Sequence, residues 1–190
     1  MPGKDKVIYL TFDDGPHPVI TPFVLAELKK YNARATFFCI GKNLLANPDV
    51  YKRILAEGHA VGNHSFSHLN GWKTKDEAWL ADITEAKKYI DANLFRPPYG
   101  RITRFQLKAL AGSAYRFHII MWSVLSGDFD TGITPEKCYK NVARNAKSGS
   151  VIVFHDSEKA NIRMSYALPL VLKYFSGKGY RFEKITNNAE

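Results

Sequence analysis

Asp13 and Asp14 stand side by side in LTFDDGPHP, directly after the apolar run VIYLTF and before Gly15-Pro16. Two like charges at the end of a buried strand cost free energy unless a cation or a proton resolves them. A bound cation is one resolution. One acid would hold it and the other would stay free as a base, because successive residues of an extended segment point in opposite directions. An Asx turn or helix cap leading into Gly15-Pro16 would occupy one acid and leave the second unexplained. His64-Ser65-Phe66-Ser67-His68 supplies partners for such an ion. If the loop turns helically there, its two imidazoles face one cation, and a carboxylate from elsewhere completes a set that leaves positions open for water. HxxxH alone is a weak signal, and it gains weight beside an acidic strand end and a His-Asp strand end.

Three further groups could do chemistry. Arg96 precedes Pro97-Pro98-Tyr99-Gly100, a stiff turn able to hold a guanidinium in place. Asp128 and His155 make a candidate pair, since a carboxylate beside an imidazole favours the protonated form and orients the ring. Asp156 is expected to cap the helix that follows it. His17, His59 and His118 have no partner pattern and are assigned no role.

These residues need elements to position them. Apolar period and Gly/Asn/Pro punctuation read as strands in KVIYLTF, RATFFCIG, HAVGNH, a short NLFRP, FHIIMWSV, SVIVFH and YRFEKI. Helices are expected in TPFVLAELKKY, NPDVYKRILAEG, TKDEAWLADITEAKKYIDA, ITRFQLKALAGS, TPEKCYKNVARNAKSG and SYALPLVLKYFSGKG. Thr21-Pro22 would open the first, and Thr134-Pro135 with Glu136 the fifth. Gly58, Gly149 and Gly177 or Gly179 would close others. Strict alternation of strand and helix means parallel βα units, with a closed or nearly closed barrel preferred to a doubly wound open sheet. The polar motifs TFDDGP, NHSFSH, FRPPYG, SGDFD and HDS all follow strands. In a βα barrel those ends converge on one face, where active sites are built.

At 190 residues and 45% hydrophobic, the chain is expected to form a single domain over 1–190, with no linker or low-complexity tract dividing it. Cys39 and Cys138 carry no metal or redox spacing and read as free structural thiols. MPGKDKVIYL leads straight into a strand and does not read as a signal peptide, so the chain is either not exported or a trimmed form. No apolar stretch is long enough to span a membrane. The 27 Lys plus Arg against 18 Asp plus Glu give a net charge of +9, which favours polyanionic surroundings. Those basic residues are scattered. With no nucleic-acid motif and no basic stripe, a nucleic-acid partner rests on charge alone.

Taken in order over residues 11 to 155, these motifs resemble those of the NodB-homology polysaccharide deacetylases, the fourth carbohydrate esterase family. TFDDGP, HSFSH and RPPYG match it fully. The resemblance implies an α/β fold, a distorted, incomplete (β/α) barrel of about seven parallel strands. It also implies one divalent metal ion, zinc first and cobalt or nickel as alternatives, held by Asp14, His64 and His68. Asp13 is then similar to the catalytic base, Arg96 to the arginine that orients it, and Tyr99 to the residue whose backbone N–H helps bind the oxyanion. His155 resembles the general acid and Asp128 the carboxylate that tunes it. Two departures stand out: Leu125 replaces an Asp in the fourth motif and Phe129 a Trp, while Val153 for Leu is a mild apolar swap.

The implied activity is metal-dependent removal of N-acetyl groups from N-acetylglucosamine-containing glycans, peptidoglycan or chitin oligomers. O-acetyl ester or small-amide hydrolysis are the alternatives, followed by an inactive carbohydrate-binding barrel. An acetylated glycan is therefore the expected partner, and family relatives point to the cell envelope or exterior. Oligomeric state is open.

Overall fold

The protein is described here by a computed structural model covering residues 6–112 and 115–186. Residues 1–5, which begin the N-terminal stretch read above, and Ser113, at the end of ITRFQLKALAGS, lie outside the described residues.

β1 (Val7–Asp13) runs through the middle of the sheet, because its apolar residues alternate onto both faces of a fully covered strand. Ile8, Leu10 and Phe12 share one buried face, and Phe12 stacks on Phe37 of β2 (Ala35–Cys39) at 5.1 Å and on Phe154 at 6.0 Å. Thr11 and Asp13 point the other way. Between β1 and β2 lies α1 (Ile20–Lys30); α2 (Gly41–Ala46), α3 (Pro48–Ala56), β3 (Ala60–Asn63), α4 (Asp76–Lys87) and β4 (Leu94–Phe95) follow. Next come a 3-10 turn at Pro98–Gly100, α5 (Arg104–Ala111), β5 (His118–Ile119) and β6 (Val124–Leu125). α6 (Pro135–Asn145), β7 (Val151–His155), α7 (Glu158–Gly177) and β8 (Arg181–Phe182) complete the order.

All pairings are parallel, in the order β5-β4-β3-β2-β1-β7-β6, with β8 added to the start of β1. The sheet curls into an incomplete barrel, as expected. Its two edges come from one stretch of chain. FHIIMWSV, read as a single strand, divides into β5, which pairs with β4, and β6, which pairs with β7. Between them Ile120 N–H donates to Phe95 and Ser123 N–H to Val151, so the segment bridges the two edges without closing a ladder. Among the described residues the curled path thus holds seven parallel strands, as expected, and β8 is an eighth that pairs with the start of β1.

Other boundaries also moved. α2 was missed, since six residues are too few to show a helical period. α7 begins seven residues before the expected Ser165, which puts Pro169 inside the helix, although proline near a start is the commoner arrangement. α1 begins at Ile20, and Thr21 does not cap it; that hydroxyl accepts from His17 N–H and donates to Asp156. Thr134 does cap α6, accepting from Lys137 N–H.

Register places the site. Asp13 lies opposite both Phe38 and His155, Cys39 opposite Asn63, and Asn63 opposite Phe95. Asp14, His64 and Arg96 are therefore the first residues past three aligned strand ends. Within the barrel, a Cβ on Gly62 would stand 2.5 Å from the Phe38 ring, so glycine lets Phe38 lie flat beneath Arg96. Gly62→Ala is expected to cost about 1–3 kcal/mol by overpacking, lowering the denaturant midpoint at constant m-value; an unchanged midpoint would contradict this packing.

Candidate active site

Asp13, only 3% exposed, accepts from Arg96 Nη1 at 2.7 Å. Arg96 is completely buried. Its Nη1 also donates to Thr11 Oγ1 at 2.7 Å and its Nε to the Ile120 carbonyl at 3.0 Å, while the guanidinium lies 4.2 Å from the Phe38 ring centre. The Thr11 hydroxyl in turn donates a hydrogen bond to the Ile152 carbonyl at 2.8 Å. Burial lowers the Arg96 pKa and the Asp13 carboxylate opposes that fall, so each charge makes the other tolerable.

Asp14 turns away from its neighbour through a left-handed backbone, φ 80°, a conformation open to Asp at modest cost. Asn43 Nδ2 holds its carbonyl at 2.6 Å. Asp156 then fixes the next residue by accepting Gly15 N–H at 3.0 Å, and its own N–H donates to the Asp13 carbonyl. The expected cap of α7 is not formed: the Ser157 N-cap has no side-chain hydrogen bond, and the Asp156 carboxyl faces Gly15 and Thr21 instead. Burial drives the Asp156 pKa up to about 7.

His64 and His68 meet Asp14 from the loop after β3. The loop is not helical, because Ser65 and His68 both have positive φ. Asn63 Oδ1 accepts Ser65 N–H, Ser65 Oγ accepts His68 N–H, and Asp82 Oδ2 on α4 accepts Phe66 and Ser67 N–H. His64 Nδ1–H donates to the Arg96 carbonyl at 2.8 Å, leaving the Nε2 lone pair free. Asp14 Oδ1 lies 3.7 Å from His64 Nε2 and 3.3 Å from His68 Nε2. Burial and the neighbouring His64 hold the His68 pKa well below the usual imidazole value, which keeps the ring neutral.

The residues present fit a metal. Ligand atoms about 2.0–2.1 Å from a tetrahedral ion stand about 3.4 Å apart, close to these separations. Asp14 Oδ1 is buried without a hydrogen-bond partner, and the ligand atoms of all three side chains lie within 4.8 Å of one another. A buried carboxylate oxygen with no donor, facing two imidazole lone pairs, is costly unless a cation sits between them.

Across β1, His155 Nδ1 lies 2.8 Å from Asp128 Oδ1, and His155 N–H donates to Asp128 Oδ2 at 2.7 Å. Burial alone would lower the His155 pKa. The Asp128 charge and hydrogen bond, helped by Asp13 and Asp14, outweigh it and raise the value to about 9. Arg163 of α7, almost fully buried, donates from Nε to the Asp128 carbonyl. Phe129 sets its ring edge-on to His155 at 5.3 Å, so the aromatic that departs from the family pattern still walls the imidazole. Leu125 is 42% exposed on the same side. Tyr99 has φ 59° and packs its ring 4.5 Å from His68.

All eight residues singled out in the sequence thus lie at the ends of β1, β3, β4, β6 and β7. Local pattern missed Asn43, Asp82, Asp156 and Arg163 as positioning groups. Asp82 and Arg163 look like ordinary solvated charges on helices, and only tertiary packing turns them inward. His17 accepts the Val19 and Ile20 N–H groups at the start of α1, and His59 accepts Ala35 N–H. A cavity of about 540 Å³ lined by Tyr9, Ile120, Val151 and Lys184 contains none of the eight.

The polysaccharide deacetylase family model matches residues 1–118. A peptidoglycan-N-acetylglucosamine deacetylase of Bacillus cereus is 36% identical over 98% of this chain and 89% of its own length. A crystal structure of a peptidoglycan N-acetylglucosamine deacetylase, in complex with 4-naphthalen-1-yl-N-oxidanyl-benzamide, superposes with a TM-score of 0.87. The identity there is 34%, covering 94% of this chain and 85% of that one. A family 4 carbohydrate esterase from Streptomyces lividans, solved with acetate, gives 0.84 at 27% identity over 97% and 95% of the two chains. With the curled parallel barrel and its row of polar strand ends, these matches make the chain a member of the polysaccharide deacetylase family, a carbohydrate esterase fold with hydrolase chemistry.

Proposed function

We propose that the chain removes N-acetyl groups from N-acetylglucosamine residues of a glycan, with peptidoglycan strands and chitin oligomers as the substrate class. The observation that carries this reading is the unpartnered, buried Asp14 Oδ1 between His64 and His68, next to a second carboxylate held separately by Arg96. The Bacillus cereus relative, named for deacetylating N-acetylglucosamine in peptidoglycan, supports the substrate class. Peptidoglycan as substrate would place the work at the cell envelope.

Asp14, His64 and His68 would hold one divalent ion, zinc before cobalt or nickel. When bound, the ion supplies Lewis acidity toward the acyl oxygen and lowers the pKa of a water. The protein's own residues do the rest. Asp13, oriented by the Arg96 guanidinium, takes the proton from the attacking water. The Tyr99 N–H, in the turn that follows β4, donates to the developing oxyanion. His155, protonated through Asp128, gives its proton to the leaving amine, so acetate and a free amino sugar result.

Chelator-stripped protein should release no acetate from N-acetylglucosamine oligomers and should recover with zinc, cobalt or nickel. His64→Ala should recover with none, a loss beyond the roughly 10–100-fold that outer-shell changes cost. Wild-type turnover by metal-free His64→Ala would sink the proposal. The pH profile tests the acid. A general acid works only when protonated, so kcat should hold through neutrality and fall as pH rises through about 9. In Asp128→Asn the largest raising charge is gone and only Asp13 and Asp14 still oppose burial, so this limb should move to lower pH. A limb that stays in place in the variant would remove His155 from the role.

A further inference from the structure

Beside the strand ends lies a joint between two loops that the proposed chemistry does not use. The loop carrying His64 and His68 continues to Trp72, and the turn carrying Tyr99 continues to Arg101. Trp72 is 61% exposed yet fixed. Its Nε1–H donates to the Ile102 carbonyl at 3.2 Å and its backbone N–H to Asn70 Oδ1 at 2.9 Å. Glycine is required at position 71, where a Cβ would come within 2.4 Å of the Arg101 carbonyl. Buried Gln106 clamps the joint by donating to the Gly71 carbonyl and to Asp76 Oδ1, both at 2.8 Å.

The Arg101 guanidinium stands 4.1 Å from the Trp72 ring centre. Arg101 is exposed and makes no ion pair among the described residues, whereas Lys30, Lys52, Arg53 and Lys88 each pair with an acid on their own helix or at its end. A rigid indole with an open face suits stacking on a pyranose, and a guanidinium with free donors suits a carboxylate held by two parallel hydrogen bonds. Arg101 is two residues from Tyr99, at most about 7 Å of extended chain, and Tyr99 touches His68.

We infer that Trp72 and Arg101 form an outer subsite for a glycan strand whose sugars carry carboxylates, one that selects such strands over neutral ones. This rests on the glycan deacetylation proposed above and narrows its substrate class. A neutral chitin oligomer would use the indole alone. A carboxylate-bearing strand would use both groups.

The test compares kcat/KM on soluble peptidoglycan strands freed of their stem peptides, whose sugars then carry free carboxylates, with kcat/KM on an N-acetylglucosamine oligomer of matched length. In Arg101→Ala the ratio of the two should fall about fivefold, through KM, the size expected of an exposed charge pair. Arg101→Lys should fall between, keeping charge without the fork. Trp72→Ala should lower kcat/KM on both strands. Lys173→Ala, the same charge change at an exposed position in the C-terminal half of α7, should leave the ratio in place. An unchanged ratio in Arg101→Ala, or an equal fall in Lys173→Ala, would overturn the subsite. Calorimetric binding of the same two strands separates the inference from the function beneath it. If wild type releases acetate from neither, the function fails, and weaker binding of only the anionic strand by Arg101→Ala still upholds the subsite. Equal binding by wild type and variant overturns it.

Discussion

Two carboxylates at adjacent positions on the end of a buried strand repel each other, and the rest of the site is arranged around separating them. Arg96 does most of this. Its guanidinium neutralises Asp13, its Nε holds the Ile120 carbonyl where the two sheet edges meet, and its backbone carbonyl sets the His64 tautomer. A buried pair of this kind is weak evidence for stability, since losing one partner leaves a costly charge while an apolar replacement of both is often harmless. Its presence here is better explained by what it positions. With Asp13 satisfied by Arg96, Asp14 is left to face His64 and His68 without a protein donor.

Backbone strain follows the same plan. Of the six non-glycine residues with positive φ among the described residues, Asp14, Ser65, His68 and Tyr99 lie in this one group of loops. Such conformations cost on the order of 1–3 kcal/mol each and persist where surroundings over-determine them. Asn43 on the Asp14 carbonyl, Asp156 on Gly15 N–H, and Asp82 with Ser65 along the histidine loop are those surroundings. The aromatic stack of Phe37, Phe12 and Phe154 beneath, and α7 packed behind it, supply the rigid base that makes the strain affordable.

Much of this was legible in the chain. The apolar runs of β1, β2 and β7 are continuous because those strands are covered on both faces, and each ends at a polar cluster that register then aligns. The incomplete barrel and the family followed from those clusters in order. What escaped was set by tertiary contact. FHIIMWSV reads as one strand because every residue suits a sheet, yet the two edges it serves belong to different neighbours. Asp156 looks like a helix cap until Gly15 and Thr21 come to it across the sheet, and Asp82 shows nothing in its helix to announce the loop it receives. Trp72 had no local signal at all.

The central claim is that the paired aspartates do two different jobs, one holding the ion and one moving the proton. Zinc titration of Asp13→Asn and Asp14→Asn, read by calorimetry with acetate release measured on the same samples, tests it most directly. Asp14→Asn should lose zinc binding and turnover together, whereas Asp13→Asn should still bind zinc and lose turnover. Equal loss of zinc in both variants, or wild-type turnover in Asp13→Asn, would contradict the division of labour.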